Sequence, residues 1–205
     1  MQISPIPSAW RSGQEMISAV VLASASSSPS SEQELFRPHE NKPLLQWILE
    51  SALASDLAEV ICVIGNLTKA RREIRLVDQR LFWYADISGC QQNCASVVAG
   101  LWACHPQSQG AMFLSGGPPL IRKELINALI ERFKRSSALI VAATLAGRPR
   151  GPVLFRRDLF PELVKLRDHD TEHSLLDAHK EQAALVEWYH GASSANGNSG
   201  FPQRI

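Results

Sequence analysis

The chain has 205 residues, enough for one domain with a substantial core and short for two ordinary ones. Lysine and arginine number 21 against 20 for aspartate and glutamate, a balance that excludes a global pull toward nucleic acid or an anionic membrane surface. Any anionic ligand must therefore be held by local groups.

Residues 1–16 are polar, hold prolines at Pro5 and Pro7 and show no period, so they read as a loose arm before a single domain over 17–190. The arm lacks an unbroken apolar segment, and no stretch of about 18 apolar residues occurs anywhere, which points away from secretion and membrane spanning. Four cysteines, Cys62, Cys90, Cys94 and Cys104, do not form the paired C-x-x-C sets of structural zinc. Cys62 lies in an apolar run of core-strand type, and the expected compartment is the reducing cytoplasm.

From Ile17 onward short apolar runs alternate with amphipathic ones. ISAVVLA is a buried strand, and PLLQWILESALA places Leu44, Leu45, Ile48, Leu49, Ala52 and Leu53 at helical spacing behind Pro43, which suits a first helical turn. AEVICVIG is a strand, LTKARREIRLV an amphipathic segment, LFWYAD a strand whose Trp83 and Tyr84 are expected in the core, with base stacking at a strand end as the other reading, and CASVVAGLWAC a helix. GAMFLSG, the helix RKELINALIERFKR and the strand SALIVAATL complete five alternations. Runs apolar on both faces fit strands covered by helices on each side, so the predicted fold is a doubly wound, mostly parallel α/β sheet with helices on both faces. Beyond Leu145 the alternation loosens through GRPRGPVLF, two helix-like segments and a last strand AALVEWY. Residues 191–205 form a polar, glycine-rich tail.

In such sheets ligands sit beyond the carboxyl ends of the strands. Three loops matter there: SASSSPSSEQE after the first strand, DISGCQQNCAS before Val97, and SGGPPL after GAMFLSG. The first has no glycine and no basic residue between Ser24 and Phe36, so neither a P-loop nor a dinucleotide fingerprint is present. A plain surface loop and a phosphate loop both remain open for it. SGGPPL joins two glycines to two prolines in a rigid turn.

Taken in order, these stretches resemble the MobA-like nucleotidyltransferases, most closely the molybdenum cofactor cytidylyltransferases. The family loop L-A-A-G-x-S-x-R-M-G-x-x-K falls on Leu22 to Glu34, G-x-P-L-L on Asn41 to Leu45, and V-x-G on Val63 to Gly65. S-L-x-x-G-L falls on Ser96 to Leu101, L-G-D-M-P-L on Ser115 to Leu120, and G-x-R-G-[HN]-P-V-L-F on Gly147 to Phe155. The resemblance covers roughly residues 17 to 200 and implies a nucleotide-diphospho-sugar-transferase, Rossmann-like fold. It assigns Ala23, Ser24, Ala25 and Ser27 to a nucleotide loop and Ser96, Gly116, Gly117, Arg148 and Arg150 to the ligand edge.

The same alignment removes the chemistry. Nucleotide transfer needs cations around the polyphosphate and carboxylates to seat Mg²⁺. The family's loop arginine falls on Pro29, its loop lysine on Glu34, and its metal-binding aspartate on Gly117. The C-terminal D-I-D-T-P-E-D falls on Asn196 to Pro202, turning two carboxylates into the amides of Asn196 and Asn198. Asn198, with Asp168 and Asp170, is the surviving metal-ligand set, and Asp86 is a further carboxylate. These five losses favour a catalytically weak or inactive relative, a pseudoenzyme that binds a nucleotide or pterin phosphate, a molybdoenzyme maturation partner or a second copy of itself. An active, Mg²⁺-dependent CTP or GTP:molybdopterin nucleotidyltransferase is the alternative, and a sugar-nucleotide pyrophosphorylase stands third. Mg²⁺ is the expected cofactor if the chain is active, with none otherwise. Three further features carry two readings each. His169 and His173 could share a helix face and take a transition metal, or belong to a polar helix start. Arg148 and Arg150 could hold a phosphate or sit solvated. Cys90 and Cys94 could bind metal or join in a disulfide, or simply pack.

Overall fold

A computed structural model describes residues 15–23, 33–86, 93–115, 121–167 and 172–188. Strand β1 (Ile17–Ala23) lies between β4 (Glu59–Ile64) and β6 (Gly110–Ser115), parallel to both. β5 (Leu81–Ala85) extends the sheet beyond β4. On the other side come β8 (Arg148–Arg156), β7 (Ile140–Leu145) and β9 (Ala183–Glu187), giving the order β5-β4-β1-β6-β8-β7-β9. Only β8 runs antiparallel to its neighbours, so the predicted doubly wound, mostly parallel sheet is what the chain forms.

β1 is central because every residue but Leu22 is buried, and the pleat divides its side chains between two cores. Ala19, Val21 and Ala23 face α1 (Leu44–Leu53) and α4 (Lys123–Lys134), with Cys62, Met112 and Leu114 beside them. Val20 faces the other way, toward α3 (Asn93–Ala103), together with Ile61, Val63, Phe113 and Phe155. Phe113 and Phe155 meet edge to face at 5.8 Å. Trp83 packs against the first core and Tyr84 against the second, as expected of core aromatics. Cys62 is fully buried, also as expected. Cys94 is half-buried on α3, and Cys90 lies outside the described residues.

The helices follow their apolar stripes. α1 buries Leu45, Ile48, Leu49, Ala52 and Leu53, and α4 buries Leu125, Ile126, Leu129, Ile130 and Phe133. Pro43 stands at the N-cap of α1 rather than inside its first turn, ending a short hairpin of β2 (Pro38–His39) and β3 (Lys42–Pro43). Its turn residues Glu40 and Asn41 have φ of 47° and 70°, so Asn41 supplies the left-handed conformation where the resembling family has glycine. LTKARREIRLV forms only the short α2 (Leu67–Glu73), because Ala70 is its one buried residue. The Asn66 side chain caps it by accepting the Lys69 N–H at 2.9 Å.

The loosened stretch GRPRGPVLF is the nine-residue strand β8. Its prolines hide a strand that avoids their penalty: β6 pairs with β8 only over Val153 to Arg156, so Pro149 and Pro152 lie past that ladder. A two-residue turn, Ala146 and Gly147 at φ 52° and 72°, joins β7 to β8. RRDLFPELVKL shrinks to a 3₁₀ turn and α5 (Phe160–Leu163), and EHSLLDAHK becomes α6 (Glu172–Ala178).

At the amino ends of β1 and β4 lies a polar knot inside the core. Glu59, 1% exposed, accepts at Oε1 from the Ser18 hydroxyl (2.6 Å) and the His105 N–H (2.7 Å), and Ser18 also reaches Ser108 at 2.8 Å. This knot ties β1, β4 and the α3–β6 loop together on the edge opposite the ligand loops.

Candidate functional site

The chain leaves β1 toward β4 and leaves β6 toward β8, so the topological switch point falls between β1 and β6. The register sets Leu22 beside Ser115 and Ala23 beside Ile64, so the loops after β1 and β6 start as neighbours. Of the predicted nucleotide-loop residues, Ala23 is the buried last residue of β1. Ser24, Ala25 and Ser27 lie outside the described residues, as do Gly116, Gly117, Asp168, Asp170, His169 and Asn198. The same holds for the side chains of His173 and Arg150.

Among the described residues the edge is built from β4, β5 and α3. Asp86 follows the last residue of β5 and anchors its backbone N–H on the Ile64 carbonyl at 2.8 Å. Ser96, in the first turns of α3 and 2% exposed, donates its hydroxyl to Asp86 Oδ2 at 2.6 Å. The two were singled out separately from the sequence, and their ten-residue separation carried no sign of the contact. It arises because α3 folds back over β1. The approach is permitted by Gly100, where a Cβ would stand 2.2 Å from Val20 Cγ1.

Arg148 is exposed at the start of β8, in register with Leu145, two strand spacings or about 10 Å across the sheet from β1. Glu187 ends β9 and takes the Thr144 hydroxyl at 2.5 Å and the Gly147 N–H at 3.3 Å. The Thr144 bond comes first among the causes that hold its carboxyl below the ordinary value. Lys69, in the first turn of α2 beyond β4, lays its ammonium 4.2 Å from the centroid of the buried Phe36 ring. Neither Lys69 nor Phe36 carries a sequence motif that would have marked it.

The described residues do not fit a divalent-ion site. Asp86 and Glu187 both end strands at this edge, but β5 and β9 are the two margins of the sheet, six spacings or about 29 Å apart. They cannot share one ion, and among the described residues no three His, Cys, Asp or Glu cluster together. Likewise, no helix among the described residues is long and apolar enough to cross a membrane.

The sequence profile of the MobA-like NTP transferase domain matches residues 19–183, nearly all of the described sheet. The chain belongs to that family. A comparison with curated proteins finds no significant match. Among solved structures it is similar to Rv0371c from Mycobacterium tuberculosis H37Rv at 20% identity and TM-score 0.71, covering 85% of this chain and 88% of that one. The Rv0371c complex with manganese matches at TM-score 0.69. Another is 4-diphosphocytidyl-2C-methyl-D-erythritol synthase from Anaerococcus prevotii, at 16% identity and TM-score 0.67, covering 86% and 88%. A third is CMP:2-keto-3-deoxy-manno-octonic acid synthetase complexed with CTP, at 12% identity and TM-score 0.63, covering 85% and 90%. At these identities the likeness shows a shared fold.

Proposed function

We propose that this MobA-like chain binds a cytidine nucleotide at the carboxyl edge of β1, β4 and β5 and is a catalytically weak or inactive nucleotidyltransferase relative. The observation that carries the reading is the state of the carboxylates. Asp86, the strand-end carboxylate on the β4–β5 side of the described edge, already accepts from Ser96, and its nearest equivalent, Glu187, ends the far margin of the sheet. A transfer reaction leaves charge on the departing pyrophosphate, and among the described residues no carboxylates group to seat a divalent ion, so that charge falls to hydrogen-bond donors and side-chain cations. Gly117, Asn196 and Asn198, at the positions where the resembling family carries metal-binding aspartates, support the same reading. The preference for cytidine rests on what the structural neighbours are called, and a molybdopterin-like phosphate as second ligand rests on the sequence likeness to molybdenum cofactor cytidylyltransferases. A role in binding or maturation follows from weak chemistry on an intact scaffold, with the domain over 17–190 flanked by an arm and a tail.

The test is thermal unfolding with CTP, GTP or UTP, each with and without Mg²⁺, alongside a pyrophosphate-release assay. At a hundred times its Kd a ligand stabilises the native state by about 2.7 kcal/mol, a rise of roughly 5–11 °C for a domain of this size. CTP is expected to raise Tm with little help from Mg²⁺ and without pyrophosphate release. Release abolished by chelator would establish the active alternative. If CTP binds without turnover, Gly117→Asp with Asn198→Asp asks whether those two positions alone limit metal capture.

A further inference from the structure

A triphosphate carries several negative charges, and a chain that binds one needs a cation fixed in place before the ligand arrives. Several described cations are committed elsewhere. Lys42 pairs with Glu50 and stacks on Trp47, and Arg80 pairs with Asp78 and the Leu53 carbonyl. Arg156 donates to the Ala138 and Ser136 carbonyls and Arg157 to that of Ser108, both from the opposite end of β8. Lys134 and Arg135 pair with Glu131, and Arg72 pairs with Glu73. Arg37 and Arg148 are exposed at the carboxyl edge.

Lys69 differs from all of these. It is half-buried, and its ammonium is positioned on the Phe36 ring, which is itself only 7% exposed. Among the described residues no carboxylate lies within ion-pair distance of it. Its helix springs from the end of β4, the strand in register with Ala23 of β1, and Phe36 shares the core cluster of Ala23 and Ile64. The Arg37 N–H closes a turn on the Glu34 carbonyl at 3.0 Å, so Phe36 presents Lys69 where the chain returns from its excursion after β1. An aromatic face holds an ammonium without neutralising it, which leaves the charge available to an anion.

We infer that Lys69 is the cation that holds the phosphates of the bound nucleotide, a duty that Glu34, exposed two residues before Phe36, cannot perform. This rests on the nucleotide-binding reading above. Phe36 is a positioning residue, since it acts only through the ammonium. Glu34 opposes the phosphates and weakens the site by repulsion.

The experiment is calorimetric titration of CTP, cytidine and inorganic tripolyphosphate into the full chain and its Lys69→Ala, Lys69→Arg and Lys69→Ala/Glu34→Lys variants, with circular dichroism as the folding check. Lys69→Ala is expected to weaken CTP and tripolyphosphate about tenfold or more while leaving cytidine unchanged. Lys69→Arg retains most of the affinity, and Glu34→Lys restores a large part of what Lys69→Ala loses. A purely structural lysine would alter all three ligands together and would not be rescued from position 34. Unchanged CTP affinity in folded Lys69→Ala overturns the inference while the nucleotide-binding reading survives. Wild-type protein that binds neither CTP nor tripolyphosphate overturns both.

Discussion

Gly100 is the point where fold and site are most tightly coupled, and Gly100→Ala tests the coupling. The added Cβ would lie 2.2 Å from Val20 Cγ1, 3.2 Å from Cγ2 and 3.3 Å from Cβ. Carbon atoms in contact sit about 3.5–4.0 Å apart, so roughly 1.3 Å must be found. Val20 cannot supply it: its side chain is fully buried and β-branched, and its backbone is paired with Ile61 on one side and Phe113 on the other. Helix α3 has to lift, loosening Val97, Leu101 and Cys104 from the core they share with Val20. Overpacking of this kind costs about 1–3 kcal/mol, and an overlap against an immobile neighbour belongs at the upper end. Replacing glycine by alanine within a helix returns about 1 kcal/mol, so the net loss is about 2 kcal/mol and Tm falls by roughly 4–8 °C. Guanidinium unfolding of wild type, Gly100→Ala, Val20→Ala and the double variant measures it. Val20→Ala removes the 2.2 Å and 3.2 Å contacts and leaves Cβ at 3.3 Å, so the second substitution should become neutral or slightly stabilising. If Gly100→Ala costs the same in both backgrounds, the close-approach reasoning is wrong. Lifting α3 also pulls Ser96 from Asp86, so a bound nucleotide should stabilise Gly100→Ala less than wild type.

The buried knot at the opposite edge should be costly to cut. Glu59→Ala strands the His105 N–H and leaves a cavity, a loss of about 3 kcal/mol or more, whereas Glu59→Gln keeps an accepting oxygen and costs less; equal unfolding midpoints for both would contradict the network. Burial pushes the Cys104 thiol up to about 12, with the Glu59 charge adding to it, and burial alone raises Cys62. Neither should react with a disulfide reagent near neutral pH until the chain is unfolded, and rapid native labelling mapped to either residue would refute the packing. His179 lies 2.8 Å from Glu162 Oε2 and 3.1 Å from Gln182 Oε1; the protonated ring donates to both, and these bonds raise its folded-state value above the ordinary 6.5. Its contribution is therefore fully present below about pH 6.5 and fades as pH rises through the raised value. The pair is solvent-screened and worth under about 1 kcal/mol, so His179→Gln should flatten the pH dependence of unfolding slightly; an unchanged profile would refute the assignment.

The sheet was legible because its strands need apolar residues on both faces and its two large helices need a stripe, and both patterns appear directly in ISAVVLA, AEVICVIG and RKELINALIERFKR. β8 was not legible, since what excuses its two prolines is the short reach of β6, a neighbour 40 residues away in sequence. Pro43 followed the same rule: its missing donor is tolerated at the N-cap as well as one residue later, and tertiary placement chose between them. The site was half legible. Ser96 and Asp86 could each be named, but their bond depends on how closely α3 lies on β1. Lys69 carried no signal, because a lysine in the first turn of a short polar helix looks like any solvated cation until Phe36 is found beneath it.

Fold and charge chemistry draw on different positions here, so under the proposed reading one can persist without the other. The positions that keep α3 on β1 and the two loop starts side by side are Gly100, Val20, Ala23 and the paired strands, and none of them is charged. Of the positions where the resembling family keeps its charge, Glu34 is the one described, and it is exposed. An exposed charge exchanged there changes stability by about 0.5 kcal/mol or less, so folding does not resist the loss. A desolvated phosphate feels the same exchange several times more strongly, because attraction and repulsion both grow as water is removed. Selection on the fold alone would therefore preserve Gly100 while releasing position 34. Under the proposed reading, the affinity left in the site must come from backbone donors and from cations such as Lys69 that the core itself holds in place.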